Sequence, residues 1–250
     1  MRSALVTRLP FVWRAPALLL LSWRRWRPVL GGTALSTLGV GAVGPGRAEL
    51  VMAVLLYAPP IAALVVLGGV FAHWRRPSVW TTIAQRRAAG TGDGWRLLLL
   101  AVLLYLGVLL PIAGTALATL AAAHGGPERA LDRAALFAVV WSGISFLTVA
   151  TVAVGVRRGV AGITIGWMMV PAILAVLGPA LDLAKAVTES LAYLAPPFHA
   201  ATRLHEVLSG ERVDLTRRVV THLATFPLLC AGLLAMGLQR LLRAPAAVDP

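Results

Sequence analysis

The chain predicts an all-α integral membrane protein of six transmembrane helices, and two observations carry that expectation. Six apolar segments, 28–46, 50–72, 97–123, 134–156, 159–181 and 219–239, cut its 250 residues. Each is close to the roughly 20 apolar residues that cross the 30 Å hydrocarbon core of a bilayer. The charges between them sort by side. Pieces 1–27, 73–96, 157–158 and 240–250 hold fifteen Arg against Asp93 and Asp249, net +13. Pieces 47–49, 124–133 and 182–218 hold eight basic and eight acidic residues, net 0. Cytoplasmic loops carry the excess of Lys and Arg, so both termini are expected inside. The expected location is a cell membrane, the cytoplasmic (inner) membrane of a bacterium, with N-in, C-in topology.

Composition agrees. The chain is 58% hydrophobic and 13% charged, with mean hydropathy +0.81, whereas soluble domains are about 25% charged. Little remains for a soluble domain. A pI near 11.7 would suggest nucleic acid in a soluble protein, but topology accounts for the same arginines, and no nucleic-acid partner is expected. Cys230 is the single cysteine, so no intrachain disulfide forms. Inside the last span a thiol acts as a small apolar group.

In chain order, residues 1–27 form an interfacial unit. Trp13, Trp23 and Trp26 sit at headgroup level, and the interspersed Arg residues lie over acidic lipid of the inner leaflet. The apolar run 15–21 imitates a signal peptide, but Trp23-Arg24-Arg25-Trp26-Arg27 follows where a small-residue cleavage site belongs. A competing reading starts the first span near Pro10 and leaves 28–46 partly re-entrant. Segment 28–46 is rich in Gly, Ser and Thr. Such residues let backbones approach, so this helix is expected inside the bundle or at a subunit contact. Pro59-Pro60 should kink segment 50–72, and segment 97–123 is long enough to tilt. Arg157-Arg158-Gly159 makes a tight hairpin into segment 159–181, which Pro171 and Pro179 should interrupt. Segment 219–239 is clean except for His222 and Pro227, and 244–250 is a short tail.

Two pieces do not span. The loop 74–96 can hold a short helix over 78–89, with 90–94 as its glycine-rich exit. In the outer stretch 182–215, residues 183–194 and 200–208 look helical, with Pro196-Pro197 between them. Both halves are too short to cross, yet apolar enough to dip into the outer leaflet. Non-helical backbone survives at that depth only when protein or water covers it.

Chemistry-bearing motifs are sparse. The one lysine, Lys185, follows Leu183-Ala184, so no P-loop is present and ATP is not bound that way. His205-Glu206 lacks the second His of a zinc HExxH helix. The five histidines are scattered, and Ser142 and Ser145 read as helix-packing groups. No Asp, Glu, Lys or Arg lies well inside an apolar segment, which argues against an ion-driven pump. No catalytic residue, metal site or cofactor is expected in this chain, and it is not expected to be an enzyme.

This order of parts resembles the membrane (permease) subunit of ABC-2-type transporters. The family pattern is an N-terminal elbow helix, six spans, a cytoplasmic coupling helix after the second, a tight fourth-to-fifth turn, and short re-entrant helices before the sixth. Here these correspond to 3–27, the six segments, 78–89, 156–159 and 183–208. The stretch Leu194-Ala195-Pro196-Pro197-Phe198-His199 looks like the hydrophobic-x-P-x-hydrophobic-polar motif such subunits carry there. The domain division is then an elbow (1–27), a six-span domain (28–243) with coupling loop 74–96 and outer segment 182–215, and the tail. Where family members often place Glu and Arg, then Gly-Thr, this chain has Arg75-Arg76-Pro77-Ser78-Val79-Trp80-Thr81-Thr82, without an acid.

The resemblance implies ATP-driven export of an apolar or amphipathic cargo by two membrane subunits, identical or not. They would work with separate ATPase subunits that bind the ATP and Mg. On a helix, Val79, Thr82, Ile83 and Arg86 share one face, with Trp80 and Arg87 on its flank as aromatic and Arg anchors. These six are the expected ATPase-coupling interface. Pro196, Pro197, Phe198 and His199 are the expected outer gate. Two other classes stay open: an auxiliary or assembly subunit without a transport path, and a lipid-modifying membrane enzyme whose best candidate residues are His199, His205 and Glu206.

Overall fold

The computed structural model describes residues 23–43, 48–74, 93–123, 128–156, 159–180, 194–197, 201 and 217–243. They form six α-helices and, among the described residues, no strand: α1 Trp23–Val43, α2 Ala48–Trp74, α3 Asp93–Ala123, α4 Glu128–Gly155, α5 Val160–Ala180 and α6 Arg217–Arg243. Four contain stretches long and apolar enough to cross a membrane: Ala53–Phe71, Ala101–Ala122, Ala134–Gly155 and Val219–Gln239. In α5 the apolar stretch is the shorter Val160–Val170. At 31 residues, α3 extends about 46 Å, more than the hydrocarbon thickness, and tilt accommodates such excess. These features mark a multi-pass helical membrane protein.

Several boundaries differ from those the sequence suggests. The first described helix, Trp23–Val43, runs unbroken through Pro28, so the Trp-Arg cluster and the glycine-rich segment belong to one helix. The third begins at Asp93, drawing Gly94, Trp95 and Arg96 out of the expected loop. Pro171 and Pro179 do not interrupt α5, which is helical to Ala180. Pro59 and Pro60 lie inside α2, which is one helix from Ala48 to Trp74. Each proline removes one N–H and orphans the carbonyl four residues earlier. For Pro60 that carbonyl belongs to Leu56, and the Trp141 indole on α4 donates to it at 2.6 Å. The break in the ladder is mended from a neighbouring helix, as a low-dielectric interior requires.

Helix α4 is the centre of the bundle, packing on α2 and α6, and α2 packs in turn on α3. Two buried clusters divide the length of the bundle. One joins Val66, Leu67 and Val70 of α2 to Ala101 and Tyr105 of α3 and Val149 and Ala153 of α4. The other, toward the opposite end, joins Val51 and Leu55 to Ile112, Phe137, Trp141, Phe226 and Cys230. Tyr105 ties three helices together: its hydroxyl lies 3.1 Å from the Ser142 carbonyl and 3.4 Å from that of Pro59. Its ring is tilted against Phe146. On α6, Gly237 lets α4 come close, since a Cβ there would stand 2.6 Å from Val154 Cγ1. Between α4 and α5, Gly159 takes φ +72°, a left-handed conformation glycine adopts freely. Its carbonyl accepts from the Ile163 N–H, the first turn of α5.

Among the described residues, the glycine-rich helix is not enclosed. It packs on α3 and only lightly on α2. Leu35 and Leu38 are 72% and 69% exposed, and Gly31, Gly32 and Gly39 have no neighbouring atoms where a Cβ would stand. Of the two expected placements, inside the bundle or at a subunit contact, the described residues do not supply the first. α3 holds one side of it and meets Gly41 through Thr115, while no described residue closes on Gly31, Gly32 or Gly39.

Candidate functional site

The turn at 194–197 lies between α5 and α6, and both helices hold its backbone. The Trp167 indole on α5 donates to the Leu194 carbonyl at 2.8 Å. His222 Nε2 on α6 stands 3.0 Å from the Ala195 carbonyl; that contact requires the tautomer carrying the proton on Nε2. Further on, the Ala201 N–H donates to the Pro197 carbonyl at 2.8 Å. Ala195, Pro196, Pro197 and Ala201 are buried. Ala201 belongs to the same cluster as Trp141 and Phe226. Phe226 stacks tilted on Trp167 at 5.5 Å and edge-on to His222 at 6.0 Å, so one aromatic group braces both donors.

The chain chemistry explains the clasp. Pro196 and Pro197 disfavour the helical conformation at the residues before them, Ala195 and Pro196, so no helix continues through the turn to take up the Leu194 and Ala195 carbonyls. The Ala195 carbonyl, in a buried residue, would be costly to leave bare and faces the His222 imidazole, while the Trp167 indole holds the exposed Leu194 at the rim of the turn. His222 sits five residues inside α6, about 7.5 Å from its start by helical rise. The turn is thus drawn in beside the helices rather than resting at their ends.

Of the expected gate residues, Pro196 and Pro197 are buried in this clasp, while Phe198 and His199 lie outside the described residues. The expected coupling residues Val79, Trp80, Thr82, Ile83, Arg86 and Arg87 also lie outside them, as do His205 and Glu206. Two of the clasp's key residues were not singled out by motif. Trp167 is an unremarked aromatic in a Gly- and Met-rich segment, and His222 reads as a blemish in a clean span. Their signal was available: an N–H donor inside an apolar helix must find an acceptor.

Other polar side chains have structural partners. Thr151 donates to the Cys230 carbonyl across α4 and α6 at 3.1 Å, and Thr148 to Ile144 within α4. Ser142 donates to the Ala138 carbonyl. The hydroxyls of Ser145 and Thr164 are buried without a partner among the described residues. No group of three or more His, Cys, Asp or Glu able to hold a metal occurs among the described residues. A cavity of about 610 Å³ opens between α1 and α2, with Val108 and Ile112 of α3 as its floor.

Comparison with protein-family models, with curated proteins and with solved structures finds no match.

Proposed function

We propose that the chain is the transmembrane permease subunit of an ABC-2-type transporter, exporting an apolar or amphipathic cargo with energy from a separate ATPase. The observation that carries the reading is the clasped 194–197 turn. A proline-broken segment inserted between the fifth and sixth helices is the part of the ABC-2 pattern that an ordinary six-helix bundle does not need. The one-sided arginine distribution and the order of six helices support it. In this reading all six helices span, residues 3–22 lie along the inner surface ahead of α1, and 183–208 dip into the outer leaflet without crossing. The short helix 78–89 docks on the ATPase, and ATP-driven closure is transmitted through it to α2 and α3, which flank it in sequence. The clasp then acts as the outer gate, opened when α5 and α6 move apart.

Affinity purification of the tagged chain from its native membrane tests this. A Walker-motif ATPase is expected to co-purify. Trp80→Ala with Ile83→Asp should release it while leaving topology intact, because the arginines are unchanged and a carboxylate in an apolar contact costs several kcal/mol. An intact complex with normal transport in that double variant would refute the coupling assignment. Purification with no ATPase in any detergent or nanodisc would refute the permease reading. A reporter after Arg243 should be cytoplasmic and one near Gly125 external; opposite locations would reverse the topology.

A further inference from the structure

Helices α1 and α2 are joined by only four residues, 44–47, and a connection that short makes consecutive helices antiparallel neighbours. Here the two touch only lightly, because α1 rests on α3 instead and the cavity opens between them. The walls of that cavity are unlike. Gly32, Ser36 and Gly39 line it on α1, and no atom of another helix lies within 4 Å of where a Cβ of Gly32 or Gly39 would stand. Leu50, Tyr57 and Ile61 line it on α2, large side chains that are left exposed. Each set recurs at helical spacing and so shares one face of its helix. Counting from the connection in antiparallel register, Gly39 is level with the turn 50–54 and Gly32 with the turn 57–61. Notches on one wall therefore face bulky side chains on the other.

The seat of α1 allows it to move. The helix buries only a narrow stripe, formed by Val29, Thr33, Thr37 and Val40, and Val40 joins the cluster that holds Ile112 and Ala116 of α3. Within the stripe, Thr33 and Thr37 each donate to the carbonyl four residues earlier, at 2.8 Å, a bond that often bends helices. A helix held along one stripe can roll about it. In a bilayer, lipid tails are as apolar as the α2 side chains, so closing the groove gains packing without a hydrophobic driving force, and small residues are what permit such close approach. Open and closed positions are then close enough in free energy to exchange.

We propose that α1 is a hinged side wall that rolls about its seam with α3 and closes on α2, seating Tyr57 and Ile61 in the notches left by Gly32, Ser36 and Gly39. The structure holds the open position. The device does not rest on the transport reading and stands if no ATPase is found. The test is oxidative cross-linking of the full chain in membranes, carrying Cys230→Ala, Gly32→Cys and Ile61→Cys. A disulfide holds its Cβ atoms about 3.8 Å apart, closer than any atom of another helix stands to that position on Gly32 in the open groove, so the bond reports closure. An intrachain disulfide, identified by peptide mass spectrometry, is expected. It should form at least roughly tenfold faster than in a control with exposed Ala34→Cys in place of Gly32→Cys, because position 34 lies on the opposite face of α1. Gly39→Cys with Leu50→Cys repeats the measurement at the other end of the groove if the first pair misfolds. Ser36→Leu fills the central notch and should slow the bond with helical circular dichroism unchanged. No intrachain disulfide in either pair, a control that links as fast, or a rate unmoved by Ser36→Leu would overturn the proposal. So would disulfides that form only between chains, which would give this face to a second copy.

Discussion

Trp141→Phe should destabilise the bundle through one carbonyl, and the size of that effect should depend on a proline in another helix. Pro60 lacks the N–H that would serve the Leu56 carbonyl, and the Trp141 indole donates to it at 2.6 Å. Both partners are buried, Leu56 at 6% and Trp141 at 1% exposed. Removing the donor strands the carbonyl, a loss of about 1–3 kcal/mol in soluble proteins. Interhelical hydrogen bonds in a membrane protein measure lower, about 0.6 and at most about 1.7 kcal/mol in double-mutant cycles. An expectation of about 1 kcal/mol follows. Phe is also smaller than Trp, so the single variant loses packing as well. Pro60→Ala separates the two effects, because alanine restores the N–H within the helix while the packing loss stays the same. Unfolding free energies in mixed micelles, followed by circular dichroism, give the cycle. Trp141→Phe should cost about 1 kcal/mol less in the Pro60→Ala background than in the chain that keeps Pro60. Costs equal within about 0.5 kcal/mol, the scatter of independent sites, would refute the mended-ladder account.

The remaining expectations concern packing and the clasp. Gly237→Ala drives a Cβ into Val154 Cγ1 and should cost about 1–3 kcal/mol; Val154→Ala should recover part of it, and no recovery in the same unfolding assay would deny the close α4–α6 contact. Trp167→Phe with His222→Leu removes both side-chain donors to 194–197. If those bonds together contribute about 1.4 kcal/mol, maleimide should label Ala195→Cys, in a Cys230→Ala background, roughly tenfold faster in that variant, and an unchanged rate would show that the donors do not hold the turn. Cys230, fully buried against α4, should resist maleimide in the folded protein and react once SDS unfolds it; prompt labelling in the native state would contradict its burial.

The helical class, the apolar segments and the tight α4–α5 turn were legible because they rest on local signals. Runs of Leu, Val and Ala long enough to span leave a membrane-embedded chain few options but helix, since every backbone group needs an internal partner. The flexible backbone of Gly159 similarly announces a turn. Proline was where local reasoning failed. Pro171 and Pro179 read as interruptions, yet α5 continues through them, and Pro59-Pro60 lie within α2, which remains one helix. Whether a helix survives a lost N–H depends on what stands beside the freed carbonyl, and Trp141 is 85 residues away from Leu56 in sequence. The 194–197 turn was half legible: Pro196-Pro197 marks a break between short apolar stretches, but its fastening to Trp167 and His222 joins three separate parts of the chain. The small-residue face of α1 was recognisable as sequence, and only the packing of α1 on α3 rather than α2 turned it into a groove. Periodicity and composition report what one segment can become. Partner choice among side chains distant in sequence, which supplies donors to carbonyls and leaves a slot open or closed, is decided when the helices pack.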